Sequence, residues 1–253
     1  MKIVLLRSCV GDGALQYMTC FRVNERIAID AGGLGFHGSP TEQEAIRHIF
    51  LTHSHIDHVA GLPIFLENVY GNTAQPPIIY GHPHTLDSLK TDVFNNRLYP
   101  DLSHLKPAFC CYETLEMGRT VNVENVRVTP LQIEHPVPTV AYRLDSTSGA
   151  VLIITDTGMT PNIRTIVEST PRLRAVFLEC AFPEAFTSLA KASGHLTTPQ
   201  FLAEVREFPK DVSVYAVHGK ARYREVIERE LAASRLPNVQ MIEPGREYDF
   251  GSA

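Results

Sequence analysis

Nowhere in this sequence does an apolar run approach the roughly 20 residues that a bilayer-spanning helix needs, which excludes a membrane span of that kind. Cysteine is sparse: Cys9, Cys20, Cys110, Cys111 and Cys180 are odd in number, and none makes a CxxC pair. They read as reduced, mostly buried thiols rather than as a disulfide framework or a thiolate metal site. Blocks of like charge, internal repeats and low-complexity linkers are also missing. With 23 basic and 28 acidic residues the net charge is −5, which disfavours a nucleic-acid partner and leaves a small anion held by metal ions fully compatible. Tryptophan does not occur at all. The opening MKIVLLRSCVGDG lacks the apolar segment and cleavage site of a signal peptide, so a first strand and a cytoplasmic location are expected, with Gly11, Asp12 and Gly13 as a hairpin turn.

What is present is the ordinary composition of a globular protein, 44% hydrophobic and 20% charged over 253 residues, enough for one large domain spanning residues 1–253. Short Val- and Ile-rich runs bounded by Gly, Pro, Asn or Asp predict strands: KIVLLR, FRVNERIAIDAG, HIFLTH, PIIYGH, VRVTPLQIEH, VAYRLD, VLIITD, AVFLEC, VSVYAV and VQMIEP. Helical segments are expected around 63–70, 85–95, 161–169, 199–208 and 222–233, the fourth capped by the Thr198 hydroxyl with Pro199 at its first position. Two β-sheets flanked by helices satisfy that order.

The chemistry concentrates in THSHIDH. His53, His55, Asp57 and His58 sit at the end of the strand HIFLTH, a density of imidazole and carboxylate that suits a metal. Three more donors stand at the ends of other strand candidates: His135 ends VRVTPLQIEH, Asp156 ends VLIITD and His218 directly follows VSVYAV. Taken singly, Asp156 in TDTG can be a turn residue and His218 a strand-end histidine. Taken together, five histidines and two aspartates suit two divalent ions sharing one carboxylate and a water.

The series THSHIDH, His135, TDTG and His218 resembles the metallo-β-lactamase fold superfamily of binuclear metallohydrolases, and IAIDAGG is similar to its early strand, with Asp30 structural. The resemblance implies an α/β four-layer αβ/βα sandwich of two mixed sheets. It also implies one ion on His53, His55 and His135, the other on Asp57, His58 and His218, and Asp156 between them. HSHIDHVAGL, LECAF, SGHLTTPQFLAEV, TLDSLKTDVFNNRLYPDL and EPGREYDF resemble the class II 3′,5′-cyclic-nucleotide phosphodiesterases, although Tyr99 stands where tryptophan is expected. The resemblance to RNase Z-type tRNA-processing endonucleases is nearly as broad. Those enzymes carry a basic arm, and only a hairpin's length separates His135 from Asp156 here.

The implied function is a binuclear metal-dependent hydrolysis of cAMP or cGMP to the 5′-monophosphate, with an RNase Z-like nuclease as the alternative and a non-catalytic cyclic-nucleotide or metal binder more remote. The cofactors are two divalent ions, zinc first, with manganese or iron as alternatives. Asp57 is placed to take the proton of a water between the ions, and His195, paired with Glu179, to protonate the leaving group. The alternative readings are a loop histidine and an ordinary strand-end acid. Asn95, Tyr99 and Lys220 are candidates for substrate contact, with packing or solvated roles equally open. A homodimer is what the superfamily suggests.

Overall fold

A computed structural model describes residues 1–9 and 15–251; the turn expected at Gly11, Asp12 and Gly13 lies outside them. The chain divides into two compact units. The first comprises residues 2–116 and 244–248, the second residue 1 with 117–243 and 249–253.

In the first unit the predicted strands become β1 (Lys2–Leu5), β2 (Phe21–Val23), β3 (Ile27–Ile29), β4 (His48–Phe50) and β5 (Ile78–Gly81), and two strands outside the predicted runs join them, β6 (Cys111–Thr114) and β14 (Glu247–Asp249). Their order in the sheet is β14-β1-β2-β3-β4-β5-β6. The run FRVNERIAIDAG is not one strand but the hairpin β2–β3, because Asn24 takes φ 51° and turns the chain. From β3 onward the sheet is parallel. Parallel strands are covered on both faces, and β3 accordingly buries all three of its residues. The one-turn helices α1 (Pro40–Gln43) and α2 (Ile56–Val59) and the longer α3 (Leu62–Val69) and α4 (Pro83–Ser88) connect them. Helix α3 buries Leu62, Phe65, Leu66 and Val69, the i, i+3, i+4, i+7 stripe of a helix packed on a core. Those side chains join Val4, Ala28, Ile49 and Ile79 of the sheet in one cluster. At about 1.5–3 kcal/mol for each fully buried Leu or Phe, this packing is what holds the following loops in place.

The second unit repeats the scheme with β7 (Val121–Val123), β8 (Val126–Ile133), β9 (Thr139–Ser146), β10 (Gly149–Ile154), β11 (Leu173–Glu179), β12 (Ser213–Val217) and β13 (Val239–Met241), ordered β13-β12-β11-β10-β9-β8-β7. The strands β7 to β10 are antiparallel and β10 to β13 parallel. Hence β8, β10, β11 and β12 all point the same way, and their C-terminal ends share one rim. Helices α5 (Asn162–Glu168), α6 (Thr187–Ser193), α7 (Thr198–Val205) and α8 (Arg224–Ala233) follow in turn. Ile163, Phe201 and Ile227 of α5, α7 and α8 pack against Leu152, Val176 and Val214 of the sheet. The cap of α7 is Thr197 and not Thr198: its N–H and hydroxyl donate to Oε1 of Gln200 at 2.8 and 3.0 Å, while Thr198 is already helical. Both units are therefore mixed seven-stranded sheets flanked by helices, as expected, and none of the helices among the described residues is long and apolar enough to cross a membrane.

Candidate functional site

In the first unit β3 and β4 run parallel, so the residues after each meet at their C-terminal ends. Asp30 follows β3 and adopts φ 61°, a left-handed conformation uncommon outside glycine and tolerated best by Asp and Asn. This turns its fully buried carboxylate beneath the histidine motif. It accepts from the backbone N–H of Thr52 at 2.8 Å, from the Thr52 hydroxyl at 2.9 Å, and from Nδ1 of His58 at 2.7 Å. The Thr52 hydroxyl lies 3.0 Å from Nδ1 of His53. With its proton donated to Asp30, that hydroxyl accepts from His53. Both imidazoles then carry hydrogen on Nδ1 and a lone pair on Nε2, the tautomer a metal requires. Burial raises the pKa of Asp30 and the neighbouring His58 pulls it back, with the net effect upward.

His55 caps α2, and Asp57 and His58 occupy its single turn. The rings of His53 lie 4.5 Å from His55 and 4.2 Å from His58, centre to centre, and Oδ2 of Asp57 is 3.8 Å from Nε2 of His58. The glycines of DAGG make this approach possible: a Cβ on Gly32 would stand 2.0 Å from the carbonyl oxygen of Asp57.

In the second unit the shared rim gathers His135 after β8, Asp156 after β10, Glu179 at the end of β11 and His218 after β12. His195 arrives from the loop between α6 and α7, which is tied to the end of β11 by bonds from the Ala181 and Phe182 N–H groups to the Leu196 carbonyl. Asp156, His195 and His218 offer donor atoms within 4.8 Å of one another, all buried. Nε2 of His135 is 3.8 Å and Nε2 of His218 3.3 Å from Oδ2 of Asp156. Nδ1 of His135 donates to the carbonyl of Gly194 at 3.0 Å, which again leaves Nε2 for a ligand. Gly194 itself needs to be glycine, with φ 72° and Pro136 Cδ only 2.4 Å from where a Cβ would sit. His218, at φ 58°, adopts the same left-handed conformation as Asp30, again without being glycine.

Glu179 is completely buried and fully used. It accepts from the N–H of Thr157, from the N–H of Leu196 at 3.0 Å and from Nδ1 of His195 at 3.0 Å. Burial pushes its carboxyl up to about 7 against the pull of His195. Burial would lower the imidazole of His195, yet the hydrogen bond and charge of Glu179 outweigh it and hold that residue above its ordinary value. Two groups both raised behave as a pair sharing one proton. Such a pair keeps a donor ready at near-neutral pH.

The three substrate-contact candidates fare differently. Lys220 donates from Nζ to Nε2 of His218 at 2.7 Å, so it stands at a donor nitrogen of the rim. The Asn95 amide is engaged by its own turn, bonded to the Thr91 carbonyl and to the N–H groups of Arg97 and Leu98. Tyr99 donates to Glu67, and burial is the main reason its phenol is pushed up to about 12. Sequence reasoning overlooked Thr52 and Gly194. The sole hint was position, one directly before the first motif histidine and the other directly before His195.

In both units imidazoles are fixed from behind by an oxygen acceptor, His53 and His58 in the first and His135 and His195 in the second, with carboxylates alongside. That donor chemistry fits a divalent cation of borderline softness. The comparison that settles the architecture is with the metallo-β-lactamase fold protein YhfI from Bacillus subtilis: TM-score 0.74, 14% identity, 98% of each chain. The chain has the metallo-β-lactamase fold. Unliganded yeast PDE1 shares it at a TM-score of 0.78, with 17% identity over 97% of this chain and 98% of that one. Residues 39–143 of this metallo-β-lactamase-fold chain match the family of class-II cAMP phosphodiesterases. The 3′,5′-cyclic-nucleotide phosphodiesterase 1 of Saccharomyces cerevisiae is 36% identical over 61 residues, 24% of this chain and 16% of that protein. The ribonuclease Z of Shouchella clausii is 32% identical over 114 residues, 43% of this chain and 33% of that protein. The matches thus span a third or less of these relatives' own length.

Proposed function

We propose that this chain is a metal-dependent phosphodiesterase that opens 3′,5′-cyclic nucleotides to 5′-monophosphates. The observation that carries this reading is the Glu179–His195 pair, a proton donor held at 3.0 Å from its buried partner and within 4.8 Å of the donor atoms of Asp156 and His218. Phosphodiester hydrolysis needs that combination: charge neutralisation for the phosphate and an acid for the departing alkoxide. The likeness to class-II cAMP phosphodiesterases supplies the substrate class.

In this reading His53, His55, Asp57, His58, His135, Asp156 and His218 are the ligands of two divalent ions, shared as the family resemblance implies, with zinc first and manganese or iron as alternatives. When bound, such ions neutralise phosphate charge and acidify water. Asp57 accepts the proton of the attacking water. His195 keeps Nδ1 on Glu179 and delivers the proton from Nε2 to the 3′ oxygen. Lys220 exchanges its bond to His218 for one to a phosphate oxygen.

The test is product analysis. Purified protein is incubated with cAMP, cGMP and an unprocessed tRNA precursor, with and without a chelator. Chelator-sensitive 5′-AMP or 5′-GMP is the expected product. A trimmed tRNA without cyclic-nucleotide turnover would replace this reading with the ribonuclease one, against the fact that residues 139–154 hold only the hairpin β9–β10 and no basic arm.

A further inference from the structure

The first unit contains a cavity of about 410 Å³ that the metal-donor motif does not touch. Its walls include Lys90, Phe94, Asp101, Ser103, Phe109 and Tyr112. Topology separates it from the histidines. Those follow the C-terminal end of β4, whereas Cys111, the first residue of β6, pairs with Ile78, the first residue of β5. Cys110 and Tyr112 therefore stand at the opposite end of the parallel strands. Helix α4 starts just past the end of β5 and leads into a π-helical turn, Leu89–Val93, closed by the Phe94 N–H donating to the Leu89 carbonyl at 2.8 Å. Such turns are rare and recur at functional sites. Here the turn places Lys90 and Phe94 on the cavity wall.

The lining has a definite chemistry. Nζ of Lys90 sits 4.8 Å from the centre of the Tyr112 ring, and among the described residues no carboxylate stands within ion-pair distance of it. An exposed ammonium parked on an aromatic face is available to an anion. Asp101 accepts from the Ser103 N–H through Oδ1 at 3.0 Å and also from the Ser103 hydroxyl, and its carboxylate has further lone pairs with which to accept from a ligand. The rings of Phe94 and Phe109 meet edge to face at 6.4 Å and are nearly buried, so the remaining wall is flat and apolar. The volume lies in the usual range for sites that hold small organic ligands.

We propose that this cavity is a second ligand site, for a small flat-ringed anion that also carries hydrogen-bond donors. The anionic group meets Lys90, the donors meet Asp101 and Ser103, and the ring lies against Phe94, Phe109 and Tyr112. A nucleoside monophosphate and an aromatic amino acid share that chemistry. Neither requires the metal-donor residues, so the site stands whether or not the phosphodiesterase reading holds.

The test follows backbone amide shifts of the full chain titrated with 5′-AMP, with L-phenylalanine, and with benzoate, which has the ring and charge but no donors. Saturable shifts at Lys90, Phe94, Ser103 and Tyr112 are expected with AMP or phenylalanine, and weaker ones with benzoate; whichever binds names the source. Lys90→Gln, at an exposed position, should leave the melting temperature close to the parent's and weaken that binding by about tenfold or more through loss of a charge-assisted contact. Asp101→Asn should erase the advantage over benzoate. Absence of saturable shifts with all three ligands, or equal affinity in Lys90→Gln, would overturn the proposal. Shifts confined to residues 53–58 would overturn it too, while supporting nucleotide binding at the metal-donor motif.

Discussion

Asp30 holds no metal in the proposed scheme, yet replacing it should release one. In Asp30→Asn the amide oxygen can still accept from the Thr52 N–H, but an –NH2 group takes the place of Oδ2, which now accepts from His58 at 2.7 Å. Facing a donor, Nδ1 of His58 must offer its lone pair, and the proton moves to Nε2, the nitrogen required for ligation. Flipping the amide only moves the clash to the Thr52 N–H. Losing such a supporting carboxylate lowers metal affinity by about 10- to 100-fold, or about 1.4–2.7 kcal/mol. The fold should survive, because Asn accepts the φ of 61° that Asp30 adopts. Exchanging charge-assisted for neutral bonds costs about 1–2 kcal/mol. At this chain length that lowers the Tm of metal-free protein by about 2–4 °C per kcal/mol. The assay is zinc competition against a chromogenic chelator, with thermal melts of the metal-free protein alongside. A folded Asp30→Asn protein that binds zinc as tightly as the parent refutes the tautomer reasoning outright.

Glu179→Gln should cut kcat by about 100-fold and move the alkaline limb of its pH profile downward. Glu179 holds the His195 imidazolium above its ordinary pKa, so without it the acid deprotonates earlier; an unmoved limb would count against the pair. The same sign governs stability: the contribution of the pair is complete below the ordinary histidine pKa of about 6.5 and fades as pH rises past the raised value, which chemical denaturation across that window can follow. Gly194→Ala should destabilise the fold by about 1–3 kcal/mol and reduce metal content, since the new methyl would meet Pro136 at 2.4 Å beside His135; full metal occupancy with an unshifted melt would contradict this. Thiol alkylation read by mass spectrometry should label exposed Cys111 well before Cys110, whose thiol burial pushes up to about 11, and spare buried Cys20 and Cys180 until unfolding. Equal labelling of all four would show the packing to be misjudged.

The strands that carry donors were legible because each is a short Val- and Ile-rich run ending in a polar residue: β4, β8, β10, β11 and β12 all stand where such runs were read. Edge strands β6 and β7 were not, since CYET leaves most of its side chains exposed and VNV is only three residues with an exposed Asn between its valines. Residue types announced the metal chemistry. Tautomer control did not show, because the contact between Thr52 and Asp30 joins residues 22 positions apart through a left-handed bend. Asn95 looked like a pocket amide because its bonds to its own turn carry no sequence mark beyond the following Asn96.

The strand β14 completes the first sheet by pairing with β1, and residues 244–248 add a bond from the Gly245 N–H to the Leu5 carbonyl at 2.8 Å and a Lys2–Glu247 ion pair at 2.8 Å. On a translating ribosome these residues emerge only after the whole of 117–243. Until then β1, whose Ile3, Val4 and Leu5 end up buried, presents an open edge that any extended peptide can extend. Vectorial synthesis thus makes the earliest-made unit the last to be sealed. Chaperone demand during that wait should track the length of the intervening unit, and a nonsense codon near position 244, which spares residues 117–243, should harm the first unit more than the second.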